Sequence, residues 1–111
     1  MPTTGVRDRM QSDLRTAMKA RDRLRVSVLR ATLGAISNAE AVPSDARPNV
    51  DGRDERTEVP RRALTEADVV AIVTREIAEL QADAAVHRER GDVDPLADLE
   101  ARIAVLDGYL H

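Results

Sequence analysis

Apolar residues recur along this chain at steps of three and four, with charged positions between them, and the rhythm divides it into four amphipathic helical segments. In the first, Val6, Met10, Leu14, Ala17 and Met18 fall on one stripe, and Thr3 or Thr4 is the expected cap. The second runs from about Asp22 to Ala41. There Val26, Leu29, Leu33 and Ile36 step by three, four and three, and Leu24, Val28, Ala31 and Ala35 make a second apolar stripe beside them. Two stripes predict the most buried helix of the set. Asp22 is its expected N-cap, which puts a break between the first two helices near Ala20–Asp22.

The third helix has a marked start in Leu64-Thr65-Glu66-Ala67-Asp68. Thr65 stands at the N-cap, an acid follows three residues on, and the first turn is acidic where the helix dipole favours negative charge. Its stripe is Val69, Ile72, Val73, Ile77, Leu80 and Ala84, and Gly91 is predicted to end it after Arg90 in a left-handed conformation. The fourth is predicted to start with Asp94 as N-cap and Pro95 in the first helical position. Leu96, Leu99, Ile103, Leu106 and Leu110 then form a heptad-like seam for a neighbouring helix. Residues 42–63 break the rhythm. They hold Pro43, Pro48, Gly52 and Pro60 and too little apolar surface to offset the ordering entropy, so a long flexible, disordered loop is expected there. The expected fold is all-α: a single domain over residues 1–111, built as a four-helix antiparallel bundle or as paired helical hairpins.

Composition narrows the chemistry. Of 111 residues 42% are hydrophobic, but Tyr109 is the single aromatic, so the core must be aliphatic, and a β-sandwich is excluded for want of rings and strict alternation. The absence of cysteine excludes disulfides, thiolate zinc sites and a cysteine nucleophile. Two histidines, His87 and His111, do not make a zinc enzyme. No nucleotide-binding glycine motif and no serine–histidine arrangement occurs, and His87 reads as a solvated surface residue. Glu76, Glu79 and Asp83 share a helix face, which without a second cluster is a solvated or ion-paired face. Neither a metal nor a cofactor is expected. With no long apolar run and no signal-peptide core at the start, the expected location is cytoplasmic, away from membranes.

The net charge of −3 conceals a segregation along the chain. Residues 7–30 carry eight basic groups against three acids, whereas from Leu64 onward there are four basic and eleven acidic groups. Two readings compete: a basic half folded against an acidic half with mutual satisfaction, or a basic stretch that faces an anionic partner such as RNA. In the second reading Arg7, Arg15, Lys19, Arg21, Arg23 and Arg25 make the contacts, to phosphates alone, since only Tyr109 offers a ring for base stacking. Arg30 and Glu76, at the edges of two apolar stripes, are the expected structural ion pair, with a small-anion site built from helical arginines as the alternative use.

One block of the chain resembles a known family. The run Asp13-Leu14-Arg15-Thr16-Ala17-Met18-Lys19-Ala20-Arg21-Asp22, then Arg25-Val26-Ser27-Val28-Leu29-Arg30 and Ala35-Ile36-Ser37-Asn38-Ala39-Glu40, resembles the YqeY-like family (GatB/YqeY), related to the tail of the B subunit of the tRNA-dependent amidotransferase. Leu64-Thr65-Glu66, Arg75-Glu76-Ile77 and Leu106 with Tyr109-Leu110 resemble later family motifs. Ala78-Glu79-Leu80 and the Gly91–Leu96 stretch depart from the pattern. The resemblance implies a helical module, a carbon–nitrogen ligase label with glutamine as amido donor, and tRNA as a partner. It also implies a small C-terminal helical domain past the Tyr-Leu position, so the sequence is expected to hold the N-terminal helical part only. Because the amidotransferase chemistry belongs to other domains and subunits, the expected role is a non-catalytic binding module, tRNA- or translation-associated. The alternative is a protein-interaction or self-association module using an exposed seam of Leu99, Ile103, Leu106 and Leu110.

Overall fold

The computed structural model describes residues 5–41 and 63–111; the rest of the expected loop, 42–62, and both threonines proposed as caps lie outside the described residues. The described chain is all helical: α1 (Val6–Ala20), α2 (Arg23–Ala41), α3 (Glu66–Arg90) and α4 (Val93–Asp107), with no strand among the described residues. α1 and α2 form one hairpin and α3 and α4 the other. α2 and α3 each touch all three other helices, and α2, expected from its double stripe to be the most buried, shares the centre with α3.

Both hairpins turn by the same local device. After α1, Arg21 adopts φ 60°, and the N–H groups of Arg21 and Asp22 donate to the carbonyls of Met18 (3.2 Å) and Ala17 (2.9 Å). After α3, Gly91 at φ 77° and Asp92 donate in the same way to Arg88 (3.3 Å) and His87 (3.0 Å). Each bond satisfies a carbonyl left over at a helix end. Asp22 then caps α2, accepting from the Arg25 N–H through Oδ1 at 3.1 Å. Thr65 and Asp68 form a reciprocal capping box at the start of α3, each bond 3.0 Å.

Two starts differ from the sequence reading. α1 is capped at Gly5, not at a threonine. Its first N–H, from Val6, donates to Oε2 of Glu66 on α3 at 3.1 Å, so a carboxylate from another helix answers the positive end of the dipole. A Cβ on Gly5 would lie 2.7 Å from that carboxylate, so a larger residue there would oblige the Glu66 side chain to shift. α4 begins at Val93 with Asp92 as N-cap, leaving Asp94 and Pro95 inside the first turn, where a proline removes no intrahelical hydrogen bond. The compact turn at Gly91–Asp92 lets the helix restart at once.

The core is aliphatic and closes around Met10, Leu29, Ile36, Val73 and Leu106, all fully buried, with Val28, Val69, Ile72 and Ile77 against them. Thr32 is the one polar residue among the buried set of the described chain, and its hydroxyl donates to the Val28 carbonyl at 2.9 Å. The α4 seam is not an exposed face: Leu106 is 1% exposed, Ile103 and Leu110 pack on the core, and Leu96 and Leu99 are half-buried. Its apolar area is covered within the chain, chiefly by α3. Met18, assigned from the pattern to the buried stripe of α1, is instead 47% exposed, at the rim of the hairpin beside Arg30 of α2.

The two turns make a natural comparison, since one holds glycine and the other arginine in the left-handed region, where a Cβ costs about 1 kcal/mol. Arg21→Gly is therefore expected to raise stability by about 1 kcal/mol, read as a higher urea midpoint at unchanged slope.

Candidate nucleic-acid interface

The structure divides the six basic residues singled out from sequence into two groups. Arg7 is clasped: its guanidinium grips Glu40 at the far end of α2 through two hydrogen bonds of 2.9 and 3.1 Å, both side chains being largely covered. That bond holds the Arg7 guanidinium in its charged form, its pKa raised by the hydrogen bond to Glu40 against an opposing desolvation. Arg7 staples the α1–α2 hairpin and is not free to meet a partner. Arg15, Lys19, Arg21 and Arg23 are exposed around the α1–α2 elbow and make no ion pair among the described residues. Arg25 is exposed too, 3.5 Å from Asp22.

Arg30 and Glu76, the expected ion pair, do not meet. Arg30 is exposed, with Nη2 4.0 Å from the Met18 sulfur. Glu76 is half-buried, and its carboxyl is pushed above the ordinary carboxylate range by burial first and by the charge of Glu79 second, with Arg75 pulling weakly the other way. The two residues sit at the edges of stripes that face the core from different sides, so periodicity placed them correctly on their own helices but not opposite each other.

Mutual satisfaction of a basic half by an acidic half does not occur through direct pairs. Among the described residues, each ion pair stays within one half: Arg7–Glu40 and Arg25–Asp22 in the first hairpin, and Arg88–Glu100, Arg90–Asp92, Arg102–Asp98, His87–Asp92 and His111–Asp107 in the second. His87, read as solvated, is half-buried and bonded to Asp92 at 2.9 Å, tying the end of α3 to the turn. The elbow cations of the first hairpin therefore face outward.

Residues read from the sequence as stripe, motif or ion-pair positions complete the elbow. Met18, Val26, Ser27 and Arg30 join Arg21 and Arg23 around an open groove of about 570 Å³. Ser27 Oγ accepts a hydrogen bond from Arg102 Nη1 of α4 at 3.1 Å, which fixes its position. The available signal was the spacing of Met18 and Arg30 around Arg21-Asp22-Arg23, legible only once the break is folded into a tight turn.

A second cleft of about 390 Å³ lies between α1, α2 and the end of α4, lined by Asp8, Arg9, Ser12, Asp13, Arg25 and Tyr109. Its two carboxylates make it a poor seat for phosphate. Its role is structural: the Tyr109 hydroxyl donates to Asp13 Oδ2, Arg9 Nη2 donates to the Tyr109 carbonyl at 3.1 Å, and the Arg9 guanidinium stands 5.2 Å over the ring. Tyr109, 9% exposed, is thus unavailable for base stacking. Among the described residues no grouping of three or more His, Asp or Glu is placed to hold a metal, and no helix is long and apolar enough to cross a membrane.

The chain matches the sequence profile described as Yqey-like protein across residues 7–111, which takes in all four helices except Val6. It belongs to the YqeY-like family. Comparison with curated proteins and with solved structures finds no match.

Two measurements check the electrostatics. Burial, then the bond to Asp13, raises the pKa of Tyr109 far above that of a free phenol. The folded state holds this proton after the unfolded chain has lost it, so its contribution is fully present below about pH 10 and is lost as the pH rises beyond that. The urea midpoint of the wild type is expected to fall more steeply above about pH 10 than that of Tyr109→Phe. For Glu76 the raised pKa means the charged form is disfavoured by folding. Glu76→Gln is expected to raise the urea midpoint at pH 7, with the difference vanishing near pH 3, below the carboxylate range.

Proposed function

We propose that this chain is a non-catalytic binding module of the YqeY type that engages tRNA through phosphate contacts made at the α1–α2 elbow. One observation carries the reading. Arg15, Lys19, Arg21, Arg23 and Arg30 stand exposed together without a carboxylate partner among the described residues, while Arg7, Arg88 and Arg102 on the same molecule are paired. Exposed guanidinium and ammonium groups repel one another, a small standing cost that an anionic surface relieves. Phosphate contact also releases counterions, which supplies most of the affinity of such interfaces at low salt.

The family's relation to the amidotransferase tail supports tRNA as the RNA concerned. Binding without turnover is supported by the chemistry of the elbow. The groove contains no carboxylate and no histidine, and the oxygen of its single hydroxyl, Ser27, already accepts from Arg102, so neither a general base nor an activated nucleophile is in place. Carbon–nitrogen ligation with glutamine as donor would then belong to other proteins, and the cytoplasm is the setting where tRNA is met.

Titration of the purified chain with tRNA at two or more salt concentrations tests the reading. Affinity is expected to fall steeply with salt, and Arg15→Gln and Lys19→Gln are each expected to lower the slope of log K against log salt by about 0.7–0.9. Arg7→Gln is expected to leave that slope unchanged while lowering stability. No binding at low ionic strength would overturn the proposal.

A further inference from the structure

The elbow is more than a cluster of positive charge. Its groove has an apolar floor, Met18 at 47% exposure and half-buried Val26, set inside a ring of Arg21, Arg23 and Arg30. A surface that met only phosphate would gain nothing from an exposed methionine between guanidinium groups, and the methionine would do better in the core.

Arg21 supplies a second, independent observation. It occupies the left-handed position that its counterpart turn gives to glycine, and its side chain makes no hydrogen bond or ion pair among the described residues. Its guanidinium is exposed and lines the groove, where a ligand would meet it.

We infer that this groove is a subsite for one unstacked nucleotide of a single-stranded RNA segment, with Met18 and Val26 covering a face of the base and Arg21, Arg23 and Arg30 holding the adjoining phosphate. The inference rests on the RNA reading above and narrows it to a class of RNA structure. An A-form duplex buries its base faces in the stack and offers only phosphate and sugar at its rim, which leaves the apolar floor uncovered. An unpaired nucleotide presents both halves at once. The sparse aromatic content pointed to phosphate contact alone, but a polarisable thioether and planar guanidinium groups also accept the face of a base. About 570 Å³ lies within the range of ~300–1,000 Å³ usual for small-ligand sites. The Ser27 hydroxyl, its oxygen engaged by Arg102, keeps its hydrogen free to donate to a base or sugar oxygen.

The test compares a short unpaired oligoribonucleotide with a blunt-ended, fully paired RNA duplex of the same base composition, by fluorescence anisotropy at one moderate salt concentration. The unpaired strand is expected to bind about tenfold more tightly. Met18→Ala is expected to weaken the unpaired strand about fivefold and leave the duplex unchanged, whereas Arg15→Gln weakens both alike. Arg21→Gly is expected to lose affinity for the unpaired strand while gaining stability, a combination that damage to the fold would not produce. Equal binding of the two RNAs, unaffected by Met18→Ala, overturns the subsite and leaves the RNA reading standing. Absence of binding to either RNA at low salt overturns both. A polyglutamate peptide held more tightly than either RNA overturns the subsite in favour of an acidic protein partner.

Discussion

Burial of α2 and α3 against each other and against the two remaining helices is the constraint on which the other features depend. With one aromatic residue in the chain, each apolar side chain contributes modest area, and cohesion has to come from many aliphatic contacts converging on these two helices. Leu29 and Ile36 fill that centre with no exposure, and Thr32 joins them because its hydroxyl returns to its own helix. The outer face of α2 stays exposed, and the basic residues on that face, Arg23, Arg25 and Arg30, lie in the half of the helix nearer the elbow with α1.

The elbow is therefore a by-product of packing that became chemically distinctive. It gathers Arg21, Arg23 and Arg30 around one groove, with Lys19 in the last turn of α1, where the dipole favours a cation, and Arg23 and Arg25 in the first turn of α2, where the dipole disfavours one. Among the described residues the acids of α3 and α4 do not pair with these groups. Asp22 answers part of this charge by capping α2 and pairing with Arg25. Arg15, Lys19, Arg21, Arg23 and Arg30 have no carboxylate partner among the described residues, and the proposed role in binding RNA rests on that.

Tertiary clasps at the opposite edges keep this end in place. Glu66 caps α1 from α3, Arg7 and Glu40 fasten the open ends of the first hairpin, and the Arg9–Tyr109–Asp13 contacts hold the end of α4 to α1. Each joins residues distant in sequence, and together they restrict how the two hairpins slide. The one tyrosine serves this purpose because its ring and its hydroxyl are satisfied at the same time, the ring by burial and the cation above it, the hydroxyl by a carboxylate.

Local order was legible in the amino-acid string wherever the cause acts within one turn of helix. The stripe of α3, the capping box at Thr65, the left-handed stop at Gly91 and the break at Ala20–Asp22 arise within a turn or two of helix and stand where the pattern puts them, while of the two α2 stripes Ala31 is exposed and Val26 lines the groove. Tertiary structure alone decided which faces meet. It set Arg30 against Met18 and not Glu76, gave Arg7 to Glu40, exposed Met18, and covered the α4 seam from within. Periodicity reports the face on which a side chain lies. The neighbour that face acquires depends on how the turns orient whole helices, and a shift of one residue at Arg21 or Asp92 redirects every contact beyond it.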